Sequence, residues 1–248
     1  FRSYHKYDLL DYFHVSPNVG TDEEFRELVQ DIHNRGMHIV IDGVFNHCSW
    51  YFPQFSDVVE KGESSEYANW FYRLQFPVMR PATEEEKPTY SCFAYERKIP
   101  KLNSSNPEER AYFMEVCRYW IREFKVDGWR LDVANEVDRG FWRDFRRVAH
   151  EENPESVMIG EIWESSETWL NGDMFDSTMN YDFRKNCRDF FALRKISAEE
   201  FHDRIVKMLL RYRTGTLRGQ LNLLDSHDVN RFLSYCEGDL RRFRLAEV

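Results

Sequence analysis

The feature that most constrains this fold is a series of short apolar runs, each followed by an acidic residue and separated from the next by helix-like sequence. The runs are residues 37–41 before Asp42, 126–131 before Asp132, 157–159 before Glu161, 177–180 before Asp182 and 220–224 before Asp225. A strand that is apolar throughout must be covered on both faces, which is the habit of a parallel sheet wrapped by helices. The helices are well signalled. Thr21-Asp22-Glu23-Glu24 reads as a capping box, with Phe25, Leu28, Val29 and Ile32 on one face and Gly36 as a stop. Asn106-Pro107-Glu108-Glu109 opens a second helix whose buried stripe is Phe113, Val116, Cys117, Trp120 and Phe124. Residues 141–150 read as a third, and Ser197 caps a fourth that runs through Phe201, Ile205, Met208 and Leu209.

Spacing sharpens the pattern. Asp132 and Glu161 are 29 residues apart, one strand-helix unit, and Glu161 and Asp228 are 67 apart, about two units. Asp42 and Asp132 are 90 apart, one unit plus an insertion of about 60 residues between Asn46 and Asn103. The insertion is polar, carries most of the prolines and holds Trp50, Tyr51, Phe52, Trp70, Phe71 and Tyr72, so it reads as a small subdomain. Repeated βα units with acidic residues at the strand ends fit a (β/α)8 TIM barrel, whose active site lies at the C-terminal ends of its strands. An open doubly wound sheet is the rival, but no Gly-rich phosphate turn follows any of the runs. The expected organisation is partial barrel over 1–46, inserted domain over 47–103, and further barrel units over 104–248.

Composition excludes several classes. With 34 basic and 43 acidic side chains the net charge is −9, which argues against nucleic acid or an anionic membrane as the main partner. No run of apolar residues is long enough to span a bilayer. Five scattered cysteines show no metal-ligand spacing, so reduced thiols and a cytoplasmic setting are expected. The chain opens without Met and inside what reads as a polar loop. The 20 Phe, 13 Tyr and 7 Trp are expected mostly in the core, with a minority in loops free to stack on sugar rings.

Three carboxylates, Asp132, Glu161 and Asp228, stand at the ends of different strands. A lone Asp there is commonly a helix cap or half of an ion pair. Three in register point to chemistry that uses paired carboxyl groups, and retaining glycoside hydrolysis needs two about 5–5.5 Å apart. Arg130 precedes Asp132 by two residues and so points to the same side of the strand, where it would keep Asp132 ionised. His47 and His227 follow strand ends and suit hydrogen bonding to sugar hydroxyls.

Four segments carry a family resemblance. Asp42-Gly43-Val44-Phe45-Asn46-His47, Gly128-Trp129-Arg130-Leu131-Asp132, Gly160-Glu161-Ile162-Trp163 and Leu224-Asp225-Ser226-His227-Asp228 resemble, in order and spacing, the four signature regions of the α-amylase family. The resemblance covers nearly the whole chain and identifies the insertion with that family's domain B. It implies Asp132 as nucleophile, Glu161 as general acid/base and Asp228 as the carboxylate that holds sugar hydroxyls. By the same resemblance Arg130, His47 and His227 contact the sugar, and Asp42 is the arginine's structural partner beside Asn46. In His5-Lys6-Tyr7-Asp8, Tyr7 matches the tyrosine that stacks under the sugar, with His5 close by. Val133-Ala134-Asn135-Glu136 and Ile99-Pro100-Lys101-Leu102-Asn103 resemble the neopullulanase, cyclomaltodextrinase and maltogenic amylase branch, which usually has Met at the position of Ile99. Asn135 and Glu136 would then shape the acceptor side of the cleft, and Trp163 and Phe52 would offer apolar sugar contacts, a core role being the alternative for Phe52. No cofactor is expected, and calcium, which the resemblance allows but this branch often lacks, is not predicted. The family's calcium site lies partly in domain B, where this sequence shows no dense carboxylate cluster.

Counting units, the strand before Asp42 corresponds to the family's third and that before Asp228 to its seventh. The expectation is therefore an incomplete barrel of about strands 3 to 7, with all three catalytic carboxylates inside it. Its open sheet edges would be covered by segments near the termini or by a homodimer. The expected function is a retaining glycosidase acting on α-1,4-glucosidic bonds of malto-oligosaccharides, cyclodextrins or pullulan, with α-1,6 cleavage and sugar transfer as further reactions. The alternative is a non-catalytic α-amylase-like sugar-binding module, or an inactive fragment.

Overall fold

The computed structural model describes residues 3–83 and 85–248. Phe1 and Arg2, at the head of the 1–46 segment, and Glu84, within the insertion, lie outside the described residues; no candidate site residue falls on them. The chain divides into two compact units, the first ending at Met158 and the second running from Ile159 to Val248.

The first unit opens with α1 (Asp22–Asn34), whose capping box is complete: Thr21 Oγ1 accepts from the Glu24 amide, and the Glu24 carboxylate accepts from the Thr21 amide. The expected apolar face is only partly used, since Val29 is buried while Leu28 is about half exposed. Next come β1 (Val40–Gly43), α2 (Pro53–Lys61), α3 (Pro107–Phe124), β2 (Gly128–Leu131) and α4 (Arg139–Glu152). Asn106 caps α3 by accepting from the amides of Glu108 and Glu109, and Asp138 caps α4 by accepting from that of Phe141. β1 and β2 pair in parallel with Asp42 opposite Arg130, and the Asp132 amide extends the ladder by donating to the Gly43 carbonyl at 2.9 Å. β3 (Val157–Gly160) begins in this unit, the Val157 amide donating to the Asp127 carbonyl at 2.9 Å. The approach is close. A Cβ on Gly128 would lie 2.4 Å from the Val157 carbonyl oxygen, so only glycine fits there.

The core of the first unit is aromatic. Phe45 packs against Phe113, Trp129, Phe141 and Phe145 at centroid distances of 5.0 to 5.9 Å, mostly edge-on or tilted. Such pairs add about 0.5–1.5 kcal/mol each beyond the area they bury. Over residues 47–103 α2 is followed by short turns; the antiparallel bridge His47↔Lys101 joins the two ends of this segment, and Phe71↔Leu102 and Cys92↔Pro100 fasten its interior to the second end.

In the second unit β3 pairs in parallel with β4 (Ser177–Asn180), and β4 with β5 (Leu221–Asn222). Around these strands come α5 (Tyr181–Cys187), α6 (Ala198–Leu209), α7 (Thr214–Arg218), α8 (Phe232–Tyr235) and α9 (Leu240–Glu247). Two strands are shorter than their apolar runs. β1 starts at Val40 because the preceding residue, Ile39, bonds through its amide to the Asp127 side chain at 2.7 Å. β5 keeps only two residues: Leu224 packs instead on the cluster of Cys187, Phe232 and Cys236, and Asp225 accepts from the Phe232 amide at 2.6 Å.

Candidate active site

In the first unit the β1–β2 register sets the geometry. Arg130 Nη1 donates to Asp42 Oδ1 at 2.9 Å and to Asp132 Oδ1 at 2.8 Å, joining the ends of two adjacent strands. Both side chains of the second pair are largely shielded, at 12% and 8% exposure, so these charge-assisted bonds are protected from solvent screening. Asp42 also accepts from the Tyr7 hydroxyl at 2.9 Å. Burial, followed by the Asp42 carboxylate, pushes the Tyr7 hydroxyl well above its ordinary pKa, so it stays a proton donor. His5 accepts from the Tyr7 amide at 3.0 Å, and its ring lies nearly parallel to that of Tyr7. A cavity of about 180 Å³ is lined by His5, Lys6, Tyr7, Leu9, Asp42 and Val44.

The chain leaves Asp132 in an unusual way. Val133 is left-handed, at φ 45° and ψ 43°, a conformation that a β-branched residue adopts at a cost. The turn Ala134–Glu136 that follows exposes Asn135 and Glu136. It is anchored by Trp142 Nε1 donating to the Ala134 carbonyl at 2.8 Å.

Two expected sugar contacts are not open. Phe52 is 1% exposed and packs edge-on against Tyr12 at 5.5 Å, so it belongs to the core and is corrected from the substrate-binding set. His47 is equally buried, its ring stacked on Phe93 at 4.8 Å and 3°. Burial lowers its pKa to about 4, against the opposing influence of the Tyr7 carbonyl, so it is neutral at physiological pH. Asn46 is buried beside it, its Nδ2 3.3 Å from His47 Nδ1, and its carbonyl accepts from the Leu102 amide.

In the second unit Glu161 directly follows β3 and is 4% exposed. Its Oε1 accepts from Trp163 Nε1 at 2.8 Å. Trp163 is 49% exposed and stacks on Tyr181 at 4.3 Å and 14°. The Tyr181 hydroxyl lies 3.1 Å from Ser226 Oγ, and that oxygen accepts from the Asp228 amide at 3.3 Å. His227 Nε2 lies 3.3 Å from Asp228 Oδ2, both side chains being partly open to solvent. A continuous chain of contacts thus joins Glu161 to Asp228 through Trp163, Tyr181 and Ser226. Sequence reasoning singled out neither Tyr181 nor Ser226 for the site. Tyr181 had a usable signal, since it is an aromatic residue directly following a strand. Among the described residues no group of three or more His, Cys, Asp or Glu side chains is placed to hold a metal ion.

Residues 2–248 match the family model described as the alpha-amylase catalytic domain. The chain is 45% identical to a cyclomaltodextrinase of Thermoanaerobacter pseudethanolicus, covering 99% of this chain and 42% of that protein. It is also 45% identical to neopullulanase 2 of Thermoactinomyces vulgaris, covering 98% of this chain and 41% of that protein. A solved cyclomaltodextrinase superposes with a TM-score of 0.93 at 43% identity, over 98% of this chain and 41% of the other. The chain therefore spans about two fifths of the length of the relatives it matches.

Proposed function

Because the chain belongs to the alpha-amylase family, as its match to the catalytic-domain model over residues 2–248 shows, we propose that this protein is a retaining glycosidase. Its substrates on this reading are the α-1,4-glucosidic bonds of malto-oligosaccharides, cyclodextrins or pullulan. The observation that carries the reading is the Arg130 guanidinium bound at once to Asp42 and Asp132 at the ends of neighbouring strands. A carboxylate so held is oriented and charged, as a nucleophile must be. Glu161 has a different neighbour, an indole N–H that fixes one oxygen. Two carboxyl groups in unlike settings suit unlike roles.

Asp132 attacks the anomeric carbon while Glu161 gives its proton to the departing glycosidic oxygen. The product is a glycosyl ester on Asp132 and an ionised Glu161. Glu161 then takes a proton from water or from an acceptor sugar hydroxyl, whose oxygen displaces Asp132 and restores both groups. Asp228 and His227 accept and donate hydrogen bonds at the sugar hydroxyls, Tyr7 and Trp163 supply stacking faces, and Asn135 and Glu136 border the acceptor side. A neutral glucan meets no repulsion from a chain of net charge −9. The 47–103 segment would form a domain B beside the cleft. Five free cysteines support a cytoplasmic setting.

The test is cleavage of β-cyclodextrin, pullulan and starch by the full-length protein. Cleavage of cyclodextrin or pullulan in preference to starch is expected. Starch preference would remove the narrower substrate assignment, and no cleavage of any α-glucan would remove the whole reading.

A further inference from the structure

Lys101 lies in the inserted segment, and its ammonium reaches Glu136 Oε2 at 2.5 Å. Surface ion pairs of this kind are commonly worth less than about 1 kcal/mol and hold nothing in place. Three observations set this one apart. The Lys101 backbone is fixed on both sides: its amide donates to the Ser91 carbonyl at 2.9 Å, its carbonyl accepts from the Tyr72 amide at 3.3 Å, and it stands opposite His47 in an antiparallel bridge. Its side chain is 21% exposed, so most of its stem is packed and its charge is delivered from a rigid base. The third observation concerns the segment it reaches. Glu136 closes the turn after Asp132 by donating its amide to the Val133 carbonyl at 3.0 Å, and Val133 holds a left-handed conformation. Such a conformation persists only when its surroundings over-determine it. Trp142 holds the turn at Ala134 from the α4 side. Lys101 holds it at Glu136 from the inserted segment.

We propose that Lys101 is a positioning residue: by gripping Glu136 it holds the 133–136 turn, and through that turn it sets the placement of the Asp132 carboxylate. The proposal rests on the assignment of Asp132 as nucleophile. It makes the inserted segment a support for the reacting carboxylate as well as a wall of the cleft. Misplacement of a reacting group by about 1 Å can cost on the order of a hundredfold in rate, so a modest ion pair can matter more to turnover than to stability.

The experiment uses the full-length protein with Lys101→Met, Lys101→Arg, Glu136→Gln and the Lys101→Met/Glu136→Gln double variant. On maltotriose, Lys101→Met is expected to lower kcat by about tenfold or more with KM changed by less than about twofold, and Lys101→Arg to restore most of it. The double variant should lose no more than the worse single variant, since both act through one contact. In amide exchange followed by mass spectrometry, residues 134–136 should exchange about tenfold faster in Lys101→Met, with the global unfolding midpoint unchanged. Wild-type kcat in Lys101→Met, additive losses in the double variant, or unchanged protection of the turn would each overturn the proposal. The exchange measurement does not depend on activity. Absence of α-glucan cleavage would therefore remove the proposed function while leaving the grip of Lys101 on the turn to be decided by exchange alone.

Discussion

Glu109 gives the sharpest stability prediction. It sits in the first turn of α3, fully buried, and neither carboxyl oxygen has a hydrogen-bond partner among the described residues. The adjacent Arg110 does not neutralise it, because that guanidinium is bonded to the Ser104 carbonyl, Asp138 and Asp144. Burial therefore dominates and raises the Glu109 pKa well above the usual carboxylate range, with Arg110 opposing weakly. The helix dipole favours a charge here by only about 0.3–1 kcal/mol, too little to reverse that. The sign follows from linkage. Above the unfolded-state pKa of about 4.3 the unfolded chain releases this proton while the folded one keeps it, so stability falls as pH rises, until the raised folded pKa is passed. The limiting slope for one proton is about 1.4 kcal/mol per pH unit, reached where the folded group is protonated and the unfolded one is not. Glu109→Gln removes the titration and keeps the shape. Urea unfolding of both proteins at pH 5, 6 and 7 should show the variant gaining on the wild type as pH rises, by at most about 1.4 kcal/mol per unit. A constant offset from the unsatisfied amide, added to that pH trend, would leave the reasoning intact. A difference that does not change with pH would refute it.

Asp132→Asn and Glu161→Gln should each abolish turnover of unactivated α-glucans while leaving the fold intact. Activated aryl glucosides, which need little protonation, should rescue the Glu161 variant and not the Asp132 variant, and equal rescue would mean the two roles are misassigned. Phe52→Ala should cost about 3–5 kcal/mol of stability in chemical denaturation, as expected for a fully buried ring. Trp163→Ala should instead leave stability within about 1 kcal/mol and weaken kcat/KM on malto-oligosaccharides, because the half-exposed indole orients Glu161; the reverse ordering of the two variants would contradict the site as described.

What the sequence made legible was local or periodic. The Thr21 capping box, the Asn106 and Ser197 caps and the strand endings at Asp42, Asp132 and Glu161 all depend on residues within a few positions of each other. Arg130 was placed correctly beside Asp132 because side chains two apart share a strand face. Features that the sequence did not show depended on distant partners. His47 disappears under Phe93, 46 residues away, and Lys101 meets Glu136 across 35 residues; no local pattern announces either contact. Phe52 was ambiguous because an aromatic residue at the edge of an insertion serves a core or a cleft equally well. The burial of Glu109 has no local signal either: a glutamate in a first helical turn ordinarily faces solvent, and its burial is set by how α3 packs rather than by its own neighbours. β5 was overestimated because an apolar run does not say which of its residues pair and which turn away to pack, as Leu224 does.

The central claim is a double-displacement mechanism through Asp132, and the configuration of the first-released sugar tests it most directly. Full-length protein is mixed with maltotriose, and the anomeric proton signals are followed by NMR during the first minutes, before mutarotation equilibrates them. The account predicts that the newly formed reducing end appears first as the α-anomer, with the β-anomer growing in only later. Initial release of the β-anomer would mean direct displacement by water and would contradict the assignment of Asp132 as nucleophile.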